Sequence, residues 1–218
     1  MFEIPHRGME RYQVILAYDG THFQGYQRQG SVRTVQAEVE TALRQLGWQG
    51  QTILCAGRTD TGVHASGQVI AFDLEWSHST EELGRALNAH LPKDVAAKAV
   101  MQAAPGFHPR FDARARCYRY RLYCQPGRDP LRDRYAWRVW PAVDGEQLHR
   151  AAALITGTHD YAAFGTAMKP GGSTIRSIFA ASWQFEAPDT WAFEIQANAF
   201  LYRMVRRLVW VQVIAAQG

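Results

Sequence analysis

Apolar positions recur at helical spacing in some stretches of this chain and follow strand patterns in others, and the change of period marks its elements. Val35, Val39, Ala42, Leu43 and Leu46 fall on one helical face behind Thr34, a natural N-cap, and Gly47 closes the helix. Ser79 and Glu82 have capping-box spacing for a second helix that runs to about Leu91, where Pro92 stops it. Asp144 and Gln147 have the same spacing for a third, through Leu148, Ala152 and Ile155 to Gly157. Phe200, Met204 and Leu208 recur at i, i+4, i+8 and predict a fourth helix.

Between these, 11–18, 52–56, 69–74, 95–101 and 116–124 read as strands, the first ending at Asp19-Gly20. In the last of them Cys117, Arg119, Arg121 and Tyr123 share one face, with Tyr118, Tyr120 and Leu122 on the other. Residues 175–186 and 191–197 predict an antiparallel pair across a turn at 187–190. Helices and strands alternate in two similar blocks. That predicts an α+β class, two sheets or half-sheets with helices packed on one side, divided into halves of 1–105 and 106–218.

Composition narrows the function. With 47% hydrophobic and 20% charged residues, the 218-residue chain has the means to bury a core and is not of the disordered class. No apolar run approaches the roughly 18 residues of a membrane span. The N-terminal MFEIPHRGMERYQ lacks the apolar stretch of a signal peptide, so a cytoplasmic location is expected. Three cysteines, Cys55, Cys117 and Cys124, form no CxxC pair, and the eight His show no zinc-site spacing; no metal is expected.

Charge adds a partner. Only three of the 24 basic residues are Lys, and nine of the 21 Arg lie between Arg110 and Arg138, against three Asp and no Glu. A guanidinium grips phosphate with a planar fork of donors and stacks on bases, so nucleic acid is the expected partner. A solvated charged face is the simpler alternative.

The stretch with the most chemistry is Cys55-Ala-Gly-Arg-Thr-Asp-Thr-Gly-Val-His-Ala65. Asp60 stands between Gly57 and Gly62, which permit a tight loop, and Thr59 and Thr61 can donate hydrogen bonds that hold a carboxylate in one pose. An Asp in such a loop is also a common turn or cap residue.

GRTDTGVHA resembles the signature of the TruA family of pseudouridine synthases, in which the Asp is the essential residue. The segment YDGTHFQGYQRQ at 18–29, ALNAHLPKDV at 86–95, FHPRFDA at 107–113, RCYRY at 116–120, TIRS at 174–177 and FLYRMVR at 200–206 are similar to the family's and follow in its order. The resemblance implies an isomerase that converts uridine to pseudouridine in tRNA, at positions 38 to 40 of the anticodon stem-loop, with neither cofactor nor metal. It implies the pseudouridine synthase fold, two related α/β halves forming a mainly antiparallel mixed sheet flanked by helices. It also implies a homodimer whose subunits together bind tRNA.

On the matching positions, Asp60 is the implied catalytic residue, either attacking the electron-poor C1′ or taking a proton from the carbon beside it. Arg206 is the implied cation that keeps this carboxylate ionised. Tyr118 offers a flat face to a flipped uracil, and its hydroxyl is placed to help remove the C5 proton. Arg58 is expected to hold the target nucleotide out of the stack, and His64 to serve structurally or as a substrate-loop contact. One departure stands out. The family's late helix continues through a Gly into further helix, loops and a closing strand, whereas here Trp210 takes the Gly position and the chain stops at Gly218. A truncated or frame-shifted copy would read this way and leave a sheet edge unpaired. Two alternatives follow: a tRNA-binding protein of the same fold without turnover, and a nucleoside N-glycosidase, which would ordinarily need a second carboxylate near Asp60.

Overall fold

A computed structural model describes residues 8–218. The first seven residues, on which part of the N-terminal reading rests, lie outside it. The chain divides into two compact units, between Ala113 and Arg114. Each carries its own sheet and its own helices, so the observed class is α+β.

In the first unit, β1 (Met9–Tyr18) lies between β3 (Ala65–Glu75) and β4 (Val95–Gln102), and the two-residue β2 (Leu54–Cys55) extends the sheet beyond β3. Every pairing here is antiparallel. Tyr12, Val14, Leu16 and Tyr18 are buried while the residues between them are only half-buried, the period-two pattern of a strand with one face on a core. Against that face pack Val35, Val39 and Leu43 of α1 (Val35–Gln45) and Leu83 and Leu87 of α2 (Thr80–His90). Each such side chain contributes about 1.5–3 kcal/mol when fully buried.

The expected caps of these helices form. The Thr34 hydroxyl accepts from Ala37 N–H at 3.4 Å, and Ser79 and Glu82 exchange both bonds of a capping box, at 3.2 and 3.0 Å. Glu40, whose side chain is wholly buried in α1, is fully partnered: Arg28 donates to it at 2.6 Å, Gln36 at 2.8 Å and Ile53 N–H at 3.2 Å. A buried carboxylate needs such partners to stay charged. The segment after β4 stays with this unit, where the Arg11 guanidinium donates to Phe107 O at 2.9 Å.

The second unit orders its strands β6 (Trp137–Val139), β5 (Arg116–Cys124), β9 (Thr190–Ala197), β8 (Ile175–Ala187) and β7 (Gly157–Asp160). Only β5 and β6 run parallel. The antiparallel pair expected at 175–197 is present as β8 and β9. Helices α3 (Gly145–Leu154) and α4 (Met204–Gln217) cover the face that carries Leu122, Ile178, Phe193 and Ile195. Asp144 caps α3 by accepting from Glu146 and Gln147 N–H. Its own N–H donates to Ala216 O at 2.8 Å, fastening the start of α3 to the end of α4.

The fourth helix differs from its expected extent. It begins at Met204, not Phe200. Tyr202 N–H donates to Thr166 O at 3.0 Å and forms an isolated bridge, which keeps the chain extended there, and Arg203 then turns through φ 62° before the helix starts. Met204 and Leu208 are buried as their spacing predicts, and Phe200 instead meets Tyr118 edge to face at 5.0 Å.

Candidate active site

The loop that carries Asp60 leaves the first sheet after β2 and is fastened along its length. Ala56 N–H still reaches Val69 O at 2.9 Å, and the Gly57 carbonyl accepts the buried Gln68 side chain at 2.7 Å. Thr59 is held twice: its carbonyl accepts Tyr26 N–H at 3.0 Å, and its hydroxyl lies 2.8 Å from the phenol of Tyr18 at the end of β1. Val63 N–H closes a turn on the Asp60 carbonyl at 3.1 Å, and Gly62 N–H reaches Phe23 O at 3.4 Å. The Asp60 backbone is therefore fixed from both sides by the segment 18–26 and by β3. The Thr59 hydroxyl expected to steady a carboxylate is engaged by Tyr18 instead. Within the unit and among its described residues, nothing hydrogen-bonds the Asp60 carboxylate, which is half-buried.

Within the signature Gly62 turns through a left-handed backbone at φ 76°, and two glycines outside it admit the close approaches. A Cβ on Gly20 would stand 2.1 Å from Val63 O, so no other residue admits that approach. Gly25, at φ 84°, faces Thr59 O, 3.1 Å from where its Cβ would be. Gly57, by contrast, has neither a left-handed backbone nor a close neighbour. Beneath the loop, burial pushes the Cys55 thiol up, and the Tyr26 phenol together with the charges of Arg58 and Arg110 pulls it part of the way back. Burial likewise pushes the Tyr26 phenol up. Arg58 is exposed and makes no hydrogen bond or ion pair among the described residues.

The other two expected site residues belong to the second unit. Tyr118 is half-buried on β5 against Phe200. Arg206 is exposed on the first turn of α4 and, with Tyr120, Trp137, Arg207 and Trp210, lines an apolar cleft. Burial pushes the Tyr120 phenol up, and the charge of Arg206 offsets part of that.

The arginine run between Arg110 and Arg138 is less free than its composition suggests. On the outer face of β5, Arg119 pairs with Glu186 and Glu194, and Arg121 with Glu186 at 3.1 Å. Arg132 holds Asp189 at 2.6 Å while lying over the Tyr123 ring, and Arg128 approaches Asp133 at 3.6 Å. Arg138 donates to the carbonyls of Gln125 and Pro126. Arg114 is exposed and unpaired among the described residues.

No helix of the described residues is long and apolar enough to cross a membrane. A family model described as tRNA pseudouridine synthase matches residues 14–112 and 151–218. The chain belongs to the tRNA pseudouridine synthase family. Its match to the family covers the fastened loop with Arg58 and Asp60 and the helix with Arg206, while Tyr118 falls in the stretch between the matched segments.

Relatives at similar distance support the same family. The tRNA pseudouridine synthase A of Neisseria gonorrhoeae (strain NCCP11945) is 39% identical over 210 residues, covering 96% of this chain and 79% of that protein. That of Geobacillus sp. (strain WCH70) is 41% identical over 211 residues, with 96% and 84% covered. That of Chloroflexus aurantiacus is 39% identical over 216 residues, with 96% and 77% covered.

For this family member, sequence reasoning missed Tyr18, Gly20 and Gln68 as supports of the loop. Tyr18 and Gly20 stand in the YDGTHFQGYQ segment, so its conformationally special glycines were the available signal. Nothing local marked Gln68, whose bond to Gly57 spans the start of β3.

Proposed function

We propose that Asp60 is the catalytic carboxylate of the uridine-to-pseudouridine isomerisation that this family member performs on tRNA, at positions 38 to 40 of the anticodon stem-loop. The isomerase activity follows from membership of the family. The observation that carries it is the contrast at Asp60: the loop backbone is fastened on both sides, at Gly57, Thr59, Gly62 and Val63, while among the described residues of its own unit no group hydrogen-bonds the carboxylate. A carboxylate held in place but not consumed by internal bonds is available to a substrate.

The reaction breaks the uracil N1–C1′ bond, turns the base while it stays bound and joins its C5 to C1′, with loss of the C5 proton. Asp60 serves either route open to a carboxylate here, attack at C1′ or removal of a proton from the adjacent carbon. In this reading Tyr118 stacks on the uracil, Arg58 holds the nucleotide out of the stack, and Arg206 supplies positive charge to the reacting site. The enzyme acts in the cytoplasm as a homodimer, which sedimentation of the purified chain tests directly.

Tritium release from tRNA labelled at uracil C5 tests the central assignment. Asp60→Asn removes the charge and keeps the shape, so pseudouridine formation is expected to vanish while tRNA binding stays within several-fold. Turnover retained by that variant would overturn the assignment.

A further inference from the structure

We propose that His64 is a positioning residue for Asp60, and that it works through an unprotonated Nδ1. The proposal rests on Asp60 being the catalytic carboxylate. His64 is half-buried at the end of the Asp60 turn, and its Nδ1 lies 3.0 Å from Gly20 N and 3.0 Å from Asp19 Oδ1. One nitrogen cannot serve both neighbours. With a lone pair it accepts the Gly20 N–H and faces the carboxylate unfavourably; with a proton it donates to Asp19 and leaves the Gly20 N–H opposed.

The neighbours decide between these states. Asp19 Oδ1 already accepts from Thr21 N–H at 3.0 Å and from the Thr21 hydroxyl at 2.6 Å. Gly20 is buried, and among the described residues its N–H has no acceptor but His64 Nδ1. A buried N–H left without an acceptor is the costlier outcome, so His64 carries its proton on Nε2 and keeps the Nδ1 lone pair for Gly20.

The consequence reaches Asp60 through backbone. Gly20 lies against the Val63 carbonyl, and Val63 N–H closes the turn on the Asp60 carbonyl at 3.1 Å. The imidazole thus clamps the far side of the turn to the segment after β1, as Tyr18 clamps the near side through Thr59. Removing the clamp frees the turn that aims the carboxylate.

Steady-state kinetics of His64→Ala and His64→Asn on tRNA, with a nitrogen–proton correlation spectrum of His64 in the wild-type chain, test this. His64→Ala is expected to lower kcat by roughly tenfold or more with KM within about threefold, because orientation and not binding is lost. Asn offers an acceptor at the place of Nδ1, so His64→Asn recovers most of kcat. The spectrum is expected to show Nε2 protonated and Nδ1 bare. An unchanged kcat in His64→Ala, a loss confined to KM, an Asn variant no better than Ala, or a proton on Nδ1 in the wild type would each overturn the proposal. If His64→Ala fails to fold, the wild-type tautomer and the Asn variant still decide. Turnover retained by Asp60→Asn would remove the catalytic reading alone, since the tautomer is read without catalysis.

Discussion

The Tyr18 phenol and the Thr59 hydroxyl lie 2.8 Å apart, joining the end of the central strand of the first sheet to the residue before Asp60. Tyr18 is 4% exposed, so this bond forms away from bulk water. Tyr18→Phe removes it while leaving the ring packed. Unfolding in urea is expected to show a loss of about 1 kcal/mol. Turnover on tRNA is expected to fall by roughly tenfold at unchanged KM, because the loop loses one of its fixed points. Unchanged turnover with the stability loss would mean that the bond supports the fold alone.

The acid side of the stability profile should report two arginine–aspartate pairs, one in each unit. Arg33 holds the Asp94 carboxyl below its usual range, and Arg132 holds that of Asp189 far below it. Both folded values are depressed, so the stability they contribute is complete above the ordinary carboxylate range and is lost as pH falls through the folded values. Urea midpoints of the wild type are expected to drop steeply below about pH 4. Arg132→Ala should be less stable near neutrality, show a shallower acid drop, and converge on the wild type at the lowest pH. Parallel profiles would show that this pair contributes nothing.

Salt dependence of tRNA binding should rank the arginines of this run by how each is engaged within the fold. Arg119 and Arg121 are already paired with Glu186 and Glu194, whereas Arg114 is unpaired among the described residues and Arg116 donates to the carbonyl of Asn198 at 2.7 Å. Neutralising Arg114 and Arg116 together is expected to reduce the log–log salt slope by roughly one unit for each phosphate that no longer meets a guanidinium. Neutralising Arg119 and Arg121 should change it less. Filter-binding titrations over a range of salt measure both, and the reverse ranking would make the β5 outer face the surface that meets tRNA.

Arg206 is the proposed source of positive charge in the reaction, and its neighbours on α4 are its rivals. The Arg203 guanidinium lies 4.9 Å from the centre of the Tyr202 ring, and Arg207 lines the same cleft as Arg206. Arg206→Ala is expected to cut turnover far more than binding. Arg206→Lys should rescue in part, since one ammonium does not reproduce the planar fork. If Arg207→Ala cuts turnover at unchanged binding and Arg206→Ala does not, the role passes to Arg207.

Much of the secondary structure was written locally in the chain. The capping box of Ser79 and Glu82, the Thr34 cap with its apolar stripe, and the two faces of the strand at Tyr118 and Tyr120 each depend on residues a few positions apart, and each forms as read. The short strands escaped notice for the opposite reason. Gly157–Asp160 is exposed throughout and shows no buried alternation, and Trp137–Val139 offers only three residues of pattern.

Motif order along the chain was enough to indicate the family and to single out Asp60. It could not show that Thr59 turns to a tyrosine 41 positions earlier, that His64 meets Gly20 across 44, or that Arg119 finds Glu186 across 67. Nor could it show that Tyr202 bonds to Thr166 and delays the last helix to Met204. A local pattern records which face of an element seeks the core, whereas the partner of a polar group depends on where distant segments are brought by packing, and that only the folded chain decides.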